Sequence, residues 1–339
     1  MKIKTTLCHT LSDDIGAIRL ESVDLPSPAP DEVQIEIKAC AVNFPDLLMI
    51  QGKYQFKPPL PFAPGGEFAG VVSRVGSAVA DIGVGDRVVA GARYGGFAEA
   101  INVPASAVKP IPGNLSFAKA ASYGTAYLTA WVALTIRGAL KAGETLLVHG
   151  ATGGVGMAAV DLGKHLGATV IATGGTDEKL AVVKSRGADH VINYTLEDGS
   201  LGGFRDRVKA LTDDRGADVI YDPVGGSVFD ESIRCINWGG RILVIGFTSG
   251  VWPQAPVNHI LIKQIAVIGV RAGEIGRRDP EIGQRTQQEL YALLEQGAID
   301  PYVCGAFPLS EAVDAMRLLE HRKVVGKVVV TMNDYQLET

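Results

Sequence analysis

The chain has 339 residues, a formal net charge of −5 and 47% apolar residues, so two domains with separate apolar cores are expected. No run of lysine or arginine has the pattern of a phosphate-binding stripe, which excludes nucleic acid as the main partner. Neither a membrane span of ~18 apolar residues nor the apolar core of a signal peptide is found, so a cytoplasmic protein without a membrane partner is expected.

The first part of the sequence, up to about Pro112, predicts short antiparallel strands. The segment EVQIEIKA places Val33, Ile35 and Ile37 on one face and polar residues on the other, the period of a half-buried strand. Glycine pairs and Gly-Asp steps in GVGDRVVAGARYGGFAEA predict the turns between further strands. A β-rich or barrel-like first domain is therefore expected.

After the segment IPGNLSFAKAAS the pattern changes to alternating helices and strands. A helix is predicted in YLTAWVALTIRGAL, and strands are predicted in TLLVHG, ATVIATG, DHVINY, DVIYDPVGG, RILVIGF and IAVIGVRA. Helices such as MAAVDLGKHLG and EKLAVVKSRG separate these strands, which is typical of βαβ units in a parallel sheet. A further helix, TQQELYALLEQGAI, and a terminal strand, GKVVVTM, follow, and we expect this tail to pack on the first domain.

The segment HGATGGVG lies between the first strand of this sheet and the next helix, the setting of a dinucleotide-binding turn. Gly153 would let the backbone approach a pyrophosphate, and Gly156 would let the helix press on the strand. The helix N-terminus supplies N–H donors and the positive end of the helix dipole. The first position of the G-x-G-x-x-G pattern is an alanine, so a tight structural turn is the alternative. The candidate cofactor contacts in this loop are Ala151, Thr152, Gly153, Gly154, Val155 and Gly156.

The end of the second strand predicts which dinucleotide is bound. Gly174 stands where an acidic residue would bind the ribose 2′-hydroxyl of NAD. Glycine removes the bulk and negative charge that would repel a 2′-phosphate, and Lys179 follows as a cation, so NADPH is favoured over NADH. Asp177 is an opposing charge that fits better as part of a helix start capped by Thr176. Lys179 could equally be an ordinary surface lysine.

Ligands of an open parallel sheet lie along the C-terminal ends of its strands, which gives a second set of cofactor-binding candidates. Each of them could instead be a turn or packing residue. They are Tyr194, Asp222, Val224, Gly225, Gly246 and Phe247.

The segments VNFPDLL, GKY, PFAPGGEFAGVV, GETLLVHGATGGVGMAAVDLGK, YDPVGG and GKVVV together resemble the quinone oxidoreductase branch of the medium-chain dehydrogenase/reductase superfamily, which includes zeta-crystallin. The resemblance implies an α/β fold in which a GroES-like, β-rich catalytic domain (residues 1–122 and 266–339) encloses a Rossmann domain with a doubly wound parallel sheet (residues 123–265). It also implies a homodimer. Thr152 and Asp161 depart from the family pattern, which affects the subgroup and not the fold.

The resemblance further implies that zinc is not used. Asn43 lies where the zinc alcohol dehydrogenases of the superfamily have their first cysteine ligand, Gly66 replaces a histidine, and Thr125 lies near the place of the third ligand. A zinc site needs about three or four N, S or O ligands, which Glu67 alone cannot provide. We expect Glu67 to be an internal ion-paired or hydrogen-bonded carboxylate.

Without a Lewis acid, a conjugated acceptor is favoured, because quinones and α,β-unsaturated carbonyls need mainly positioning and hydrogen-bond donors. The resemblance places Asn43 and Tyr54 beside the nicotinamide as such donors, with Asp46 orienting them or the cofactor amide. It assigns Thr129 and the Lys327 of GKVVV to the cofactor. Each could instead be a hydrogen-bonded structural residue.

The main hypothesis is therefore an NADPH-dependent, zinc-independent reductase of small electrophilic quinones or enones. A 2-enoyl thioester reductase of the enoyl-CoA type would use the same hydride chemistry. A non-catalytic, NADPH-binding, crystallin-like protein is the alternative from another functional class.

Overall fold

The computed structural model describes residues 1–113, 115–333 and 335–337. The chain forms two compact units, one of Met1–Gly124 with Pro301–Thr339 and one of Thr125–Asp300. The second unit is thus inserted into the sequence of the first. No helix in the described ranges is long and apolar enough to cross a membrane.

The N-terminal part is built mainly from strands. Their bounds are β1 Lys2–Leu7, β2 Arg19–Asp24, β3 Glu32–Ala41, β4 Glu67–Val75, β5 Arg87–Gly91, β6 Ala100–Pro104 and β7 Val108–Pro110. The α-helices described in this part are α1 Phe44–Ile50 and α2 Phe117–Trp131, and α2 continues as a π-helical segment over Val132–Arg137. The predicted helix in YLTAWVALTIRGAL therefore begins ten residues earlier than expected. Short 3-10 helices occur at Ile15–Ala17 and Ala105–Ala107.

The second unit contains six parallel strands and the helices between them. The strands are β8 Thr145–Val148, β9 Thr169–Gly174, β10 His190–Asn193, β11 Ala217–Asp222, β12 Ile236–Val244 and β13 Ala266–Gly269, in the spatial order β10-β9-β8-β11-β12-β13. The helices are α3 Gly154–His165, α4 Asp177–Ser185, α5 Arg205–Ala210, α6 Ser227–Cys235, α7 Val257–Lys263, α8 Ala272–Arg278 and α9 Pro280–Glu295. The alternating pattern correctly predicts the parallel sheet, and its strand order is that of the doubly wound Rossmann domain that the resemblance implies.

The chain then returns to the first unit with β14 Val303–Pro308, α10 Ala312–Glu320 and β15 Lys327–Thr331. Seven strands form one sheet in the order β14-β15-β3-β4-β5-β7, with β6 paired to β3, while β1 and β2 form a separate ribbon. β15 pairs antiparallel with β3, which confirms that the tail packs on the first domain.

The central strand β3 departs from the predicted alternation at one residue, Gln34. Val33, Ile35 and Ile37 are fully buried as expected, but Gln34 on the opposite face is also 0% exposed, because β3 pairs with β4, β6 and β15. The Gln34 side-chain amide donates to Asn102 Oδ1 at 3.0 Å and to the carbonyl of Pro26 at 3.3 Å. A buried polar side chain needs such partners. Glu36 and Lys38, on the same face as Gln34, are partly exposed, so β3 is half-buried as predicted except at Gln34.

The second domain boundary also differs from the prediction. β13 pairs in parallel with β12, and the second unit extends to Asp300, whereas the predicted boundary at residue 265 would cut the sixth strand from its sheet. The first boundary, expected after residue 122, lies at Gly124. The strand predicted in IAVIGVRA therefore does belong to the parallel sheet, and the difference concerns only the residue at which the second unit ends.

Candidate cofactor site and polar cluster

In the first unit, the start of α1 is organised around Asp46. Asn43 is the N-cap residue of α1, and its backbone N–H donates to Asp46 Oδ2 at 2.8 Å. Asp46 Oδ1 accepts the N–H of Gly65 at 2.9 Å, so this carboxyl ties the helix start to the loop before β4. Asp46 is 1% exposed, and its burial raises its pKa to about 6, although the two N–H donors act in the opposite direction.

The side chain of Asn43 is held at both ends. Lys327 Nζ donates to Asn43 Oδ1 at 2.6 Å, and Asn43 Nδ2 donates to Glu67 Oε2 at 3.1 Å. Lys327 also donates to the carbonyl of Val42 at 3.3 Å and lies 3.6 Å from Glu67 Oε2, with both side chains less than a tenth exposed. We refer to Asn43, Asp46, Glu67 and Lys327 as the polar cluster.

The polar cluster confirms the expectation that Glu67 is an ion-paired, hydrogen-bonded carboxylate. It also shows the surroundings of Lys327, which the resemblance assigned to the cofactor: its ammonium contacts the side chains of Asn43 and Glu67. Lys327 reaches them because β15, which it begins, pairs with β3, the strand that ends just before Asn43.

Tyr54 follows α1 and is half-buried. Its backbone N–H donates to the carbonyl of Leu48 at 3.1 Å, and its ring packs on the apolar core of the first unit. Across the described ranges, no group of three or more His, Cys, Asp and Glu side chains is arranged to hold a metal ion. Glu67, the carboxylate beside Asn43, faces the Lys327 ammonium at 3.6 Å.

In the second unit, the glycine-rich loop joins β8 to α3. Gly150 has φ of +55°, a left-handed conformation that favours glycine. The N–H of Ala151 donates to the carbonyl of Thr173 at 2.9 Å, so the loop is tied to the end of β9. Ala151 is fully buried, whereas residues 152–155 are partly exposed and form the accessible part of the loop.

The surroundings of Gly153 and Gly156 in this loop leave different amounts of space for a side chain. A Cβ on Gly156 would lie 2.3 Å from the carbonyl oxygen of Gly150, so the helix passes the loop too closely for any side chain. A Cβ on Gly153, the N-cap residue of α3, would meet only the same oxygen at an ordinary 3.5 Å. Packing therefore explains why residue 156 is a glycine, but it does not explain why residue 153 is one. A glycine at residue 153 would suit the close approach of a ligand to the backbone.

His149, which the sequence patterns did not single out, lies at the start of this loop. It is 0% exposed, and its ring nitrogens lie 2.9 Å from Thr173 Oγ1 and 2.8 Å from Ser232 Oγ. The rings of Phe204 and Tyr194 lie 4.7 and 6.4 Å away, and burial lowers the pKa of His149 to about 3. It is therefore a neutral residue that links β8, β9 and α6. The sequence feature that could have identified this residue is a histidine directly after a predicted buried strand.

The residues that predicted the choice of dinucleotide lie at the end of β9 and the start of α4. Thr176 Oγ1 accepts the N–H of Lys179 at 3.4 Å, which confirms the Thr176 cap, with Asp177 in the first turn. Lys179 is partly exposed in that turn, and Gly174 is buried. A Cβ on Gly174 would lie 2.8 Å from Thr152 Cγ2.

The remaining candidates lie at the ends of other strands and on α2. Tyr194 is 6% exposed, and its N–H donates to the carbonyl of Gly174 at 3.2 Å. Asp222 is buried and accepts the N–H groups of Val224 and Gly225 at 2.8 and 3.0 Å, so its carboxyl shapes the turn after β11. Thr129 Oγ1 donates to a carbonyl of its own helix, at Thr125.

The turns after β11 and β12 lie side by side. The N–H of Thr248 donates to the carbonyl of Pro223 at 3.0 Å, and a Cβ on Gly225 would lie 3.2 Å from the ring of Phe247. A Cβ on Gly246 would lie 3.6 Å from that same carbonyl of Pro223. The structure therefore brings Val224, Gly225, Gly246 and Phe247 together at the C-terminal edge of the sheet.

Comparisons with known proteins cover both units. The family described as "Alcohol dehydrogenase GroES-like domain" matches residues 29–113, and "Zinc-binding dehydrogenase" matches residues 154–298. A quinone oxidoreductase-like protein 2 homolog of Nematostella vectensis is 38% identical over 302 residues, which cover 88% of this chain and 81% of that protein.

Two solved structures show the range of similar enzymes. Escherichia coli quinone oxidoreductase complexed with NADPH is 31% identical, with a TM-score of 0.84 over 97% of this chain and 99% of that one. The CurK enoyl reductase is 26% identical, with a TM-score of 0.84 over 98% of this chain and 99% of that one. Reductases of two acceptor classes thus share this architecture.

Proposed function

Because the chain belongs to the quinone oxidoreductase-like branch of the medium-chain dehydrogenase/reductase superfamily, we propose that it is an NADPH-dependent, zinc-independent reductase of quinones or related α,β-unsaturated carbonyl compounds. The observation that carries the proposal is the Asn43 amide, clamped between Lys327 and Glu67 where zinc-dependent relatives would have a metal ligand. A fixed amide is a hydrogen-bond donor suited to a polarised oxygen.

The residues of the second unit fit a dinucleotide with a 2′-phosphate. Residues 152–155 form an accessible loop at the N-terminus of α3, where backbone N–H groups favour a pyrophosphate. Gly174 brings no carboxylate to the ribose end, and Lys179 adds a positive charge nearby. NADPH, when bound, supplies the hydride.

The chain's own part in the reaction is to position the acceptor and stabilise the charge that develops on its oxygen. Asn43 Nδ2 carries two hydrogens, of which one is donated to Glu67, so the second is the one assigned to the acceptor. Lys327 and Glu67 keep the amide in this orientation, and Asp46 fixes the backbone from which it projects. Tyr54 is the second proposed donor.

The test is the oxidation of NADPH by the purified protein with a panel of quinones, enones, enoyl-CoA thioesters and aldehydes, before and after prolonged chelation. We expect turnover with quinones or enones that survives chelation, and less than about a tenth of a zinc ion per chain by metal analysis. Oxidation of a secondary alcohol with NADP⁺ as fast as reduction of the quinone, or stoichiometric zinc, would refute the proposal.

An enoyl thioester reductase is the second candidate, and the similarity to the CurK enoyl reductase favours it specifically. The same hydride chemistry applies, because an enoyl thioester also accepts hydride at a conjugated carbon. The panel separates the two candidates: enoyl-CoA turnover with a kcat/KM above that of every quinone and simple enone would select the thioester.

We also propose a homodimer in the cytoplasm, formed along the β13 edge of the parallel sheet. The helix that directly precedes this edge strand exposes three large apolar side chains, since Val257, Leu261 and Ile262 are 76, 78 and 73% exposed. An apolar face of this kind is typical of a surface that another protein covers. Sedimentation should give a dimer that Leu261→Glu converts to a monomer; a monomeric wild-type protein would overturn this proposal.

A further inference from the structure

Gly174 is the last residue of β9. The lack of space for a side chain, and not the backbone conformation, explains why this residue is a glycine. Its φ is not positive, so an L-residue could adopt the same backbone. A Cβ at this position would, however, lie 2.8 Å from Thr152 Cγ2 and 2.9 Å from Leu180 Cδ2. Distances below 3.0 Å force something to move, so the identity of residue 174 depends on its neighbours.

The two neighbours differ in how easily they move. Leu180 Cδ2 is the end of a longer side chain with two rotatable bonds, so another rotamer can relieve the contact. Thr152 Cγ2 is attached directly to a branched Cβ, and the orientation of such side chains is restricted. The methyl group of Thr152 is therefore the harder obstacle to a side chain at residue 174.

The backbone that carries Thr152 is also held in place. The N–H of Ala151 donates to the carbonyl of Thr173 at 2.9 Å, and the N–H of Gly153 donates to the carbonyl of Gly150 at 3.0 Å. Gly156 lies close to the loop on its other side, because a Cβ at this position would lie 2.3 Å from the Gly150 carbonyl oxygen. Movement of the loop away from β9 would break the Ala151–Thr173 hydrogen bond, and the contacts of Gly150 with Gly153 and Gly156 keep the loop itself compact.

We infer that Thr152 is a second determinant of dinucleotide choice, because its methyl group occupies the space that an acidic side chain at residue 174 would need. The inference rests on the proposed function in so far as the cofactor is NADPH. The methyl group at residue 152 thus keeps residue 174 a glycine and so excludes the carboxylate that recognition of NADH would use.

The cofactor test compares three variants by fluorescence titration: Gly174→Asp, Gly174→Asp with Thr152→Ser, and Gly174→Asp with Thr152→Val. Serine removes the methyl group and keeps the hydroxyl, whereas valine keeps the methyl group. We expect the serine pair to bind NADH about tenfold more tightly than the other two, the size of one modest interaction. Equal NADH dissociation constants in all three would overturn the inference.

A second measurement needs no cofactor. Gly174→Ala is placed in the wild-type, Thr152→Ser and Thr152→Val backgrounds, and urea unfolding midpoints are compared. We expect a clear loss of midpoint in the wild-type and valine backgrounds and a smaller one with serine, because only serine removes the obstacle. An equal loss in all three would overturn the steric inference, whereas wild-type protein that binds neither dinucleotide would overturn the proposed function instead.

Discussion

The polar cluster of the first unit and the glycine-rich loop of the second, residues 149–156, bury polar groups in opposite ways. The polar cluster buries charged side chains and compensates them with one another, as in the contact of Lys327 with Glu67. The glycine-rich loop contains no charged side chain and relies on backbone hydrogen bonds and the neutral His149. A loop that admits an anionic ligand suits uncompensated N–H dipoles, whereas an acceptor site needs donors fixed in advance.

Asp46 in the polar cluster and His149 in the glycine-rich loop both have shifted pKa values. Burial is the main cause of both shifts, and in each case it favours the neutral form: the pKa of Asp46 rises to about 6 and the pKa of His149 falls to about 3. The consequences for stability have opposite signs, because the neutral form of an acid holds a proton and that of histidine lacks one.

The largest expected effect comes from Gly156→Ala, which tests whether close packing defines the glycine-rich loop. The new Cβ would lie 2.3 Å from a backbone oxygen, so the free energy of unfolding should fall by about 3 kcal/mol or more in urea denaturation. Gly153→Ala is the matched control, expected to stay within about 0.5 kcal/mol of wild type while weakening NADPH binding. Similar stability losses in the two variants would contradict the different roles assigned to these glycines.

The second prediction concerns acid. The folded protein keeps His149 neutral down to a pKa of about 3, whereas the unfolded chain protonates it near 6.5, so its contribution to stability is lost as the pH falls below 6.5. This loss should reach about 3 kcal/mol by pH 4, at about 1.4 kcal/mol per pH unit. His149→Gln should show a shallower fall in urea unfolding free energy over this window. An unchanged slope would show that His149 is not the group responsible.

The third prediction concerns Asp46, whose effect on stability changes with pH in the opposite direction to that of His149. Because the folded state keeps Asp46 protonated up to a pKa of about 6, well above the 3.8 of an unperturbed carboxyl, this residue should reduce stability as the pH rises from 4 to 6. The expected reduction is about 2 kcal/mol, less than for His149, since the two N–H donors stabilise the carboxylate. Asp46→Asn should remove this rising-pH loss in the same urea experiment, and a loss that persists in the variant would assign it to another group.

The smallest expected effect tests how the polar cluster holds Asn43. Asn43→Ala removes the proposed donor, and Lys327→Met combined with Glu67→Leu removes both partners of the Asn43 amide without leaving either of their charges buried and unpaired. Both should lower kcat with a quinone by about tenfold, less than the loss of a donor from a rigid oxyanion hole, and leave the NADPH dissociation constant nearly unchanged. Unchanged kcat in the paired variant would show that Asn43 does not depend on this clamp.

The sequence by itself determined the features that depend on near neighbours in the chain. Alternation of apolar residues located β3, and apolar runs between glycine-rich turns located the six strands of the parallel sheet, because side-chain periodicity follows directly from strand and helix geometry. The Thr176 cap and the helix start after HGATGGVG are equally local. The fold class and the position of the glycine-rich loop between β8 and α3 were therefore predictable.

Only the tertiary structure decided features that join distant parts of the chain. Lys327 and Asn43 are 284 residues apart, and the pairing of β15 with β3 makes them neighbours. The end of the second unit at Asp300 is likewise a tertiary feature, although the sequence had already indicated β13 as a strand of the parallel sheet. Gly174 was interpreted from its missing charge, yet the methyl group of Thr152 is what excludes a side chain there, because the space around a residue is set by its neighbours in the fold.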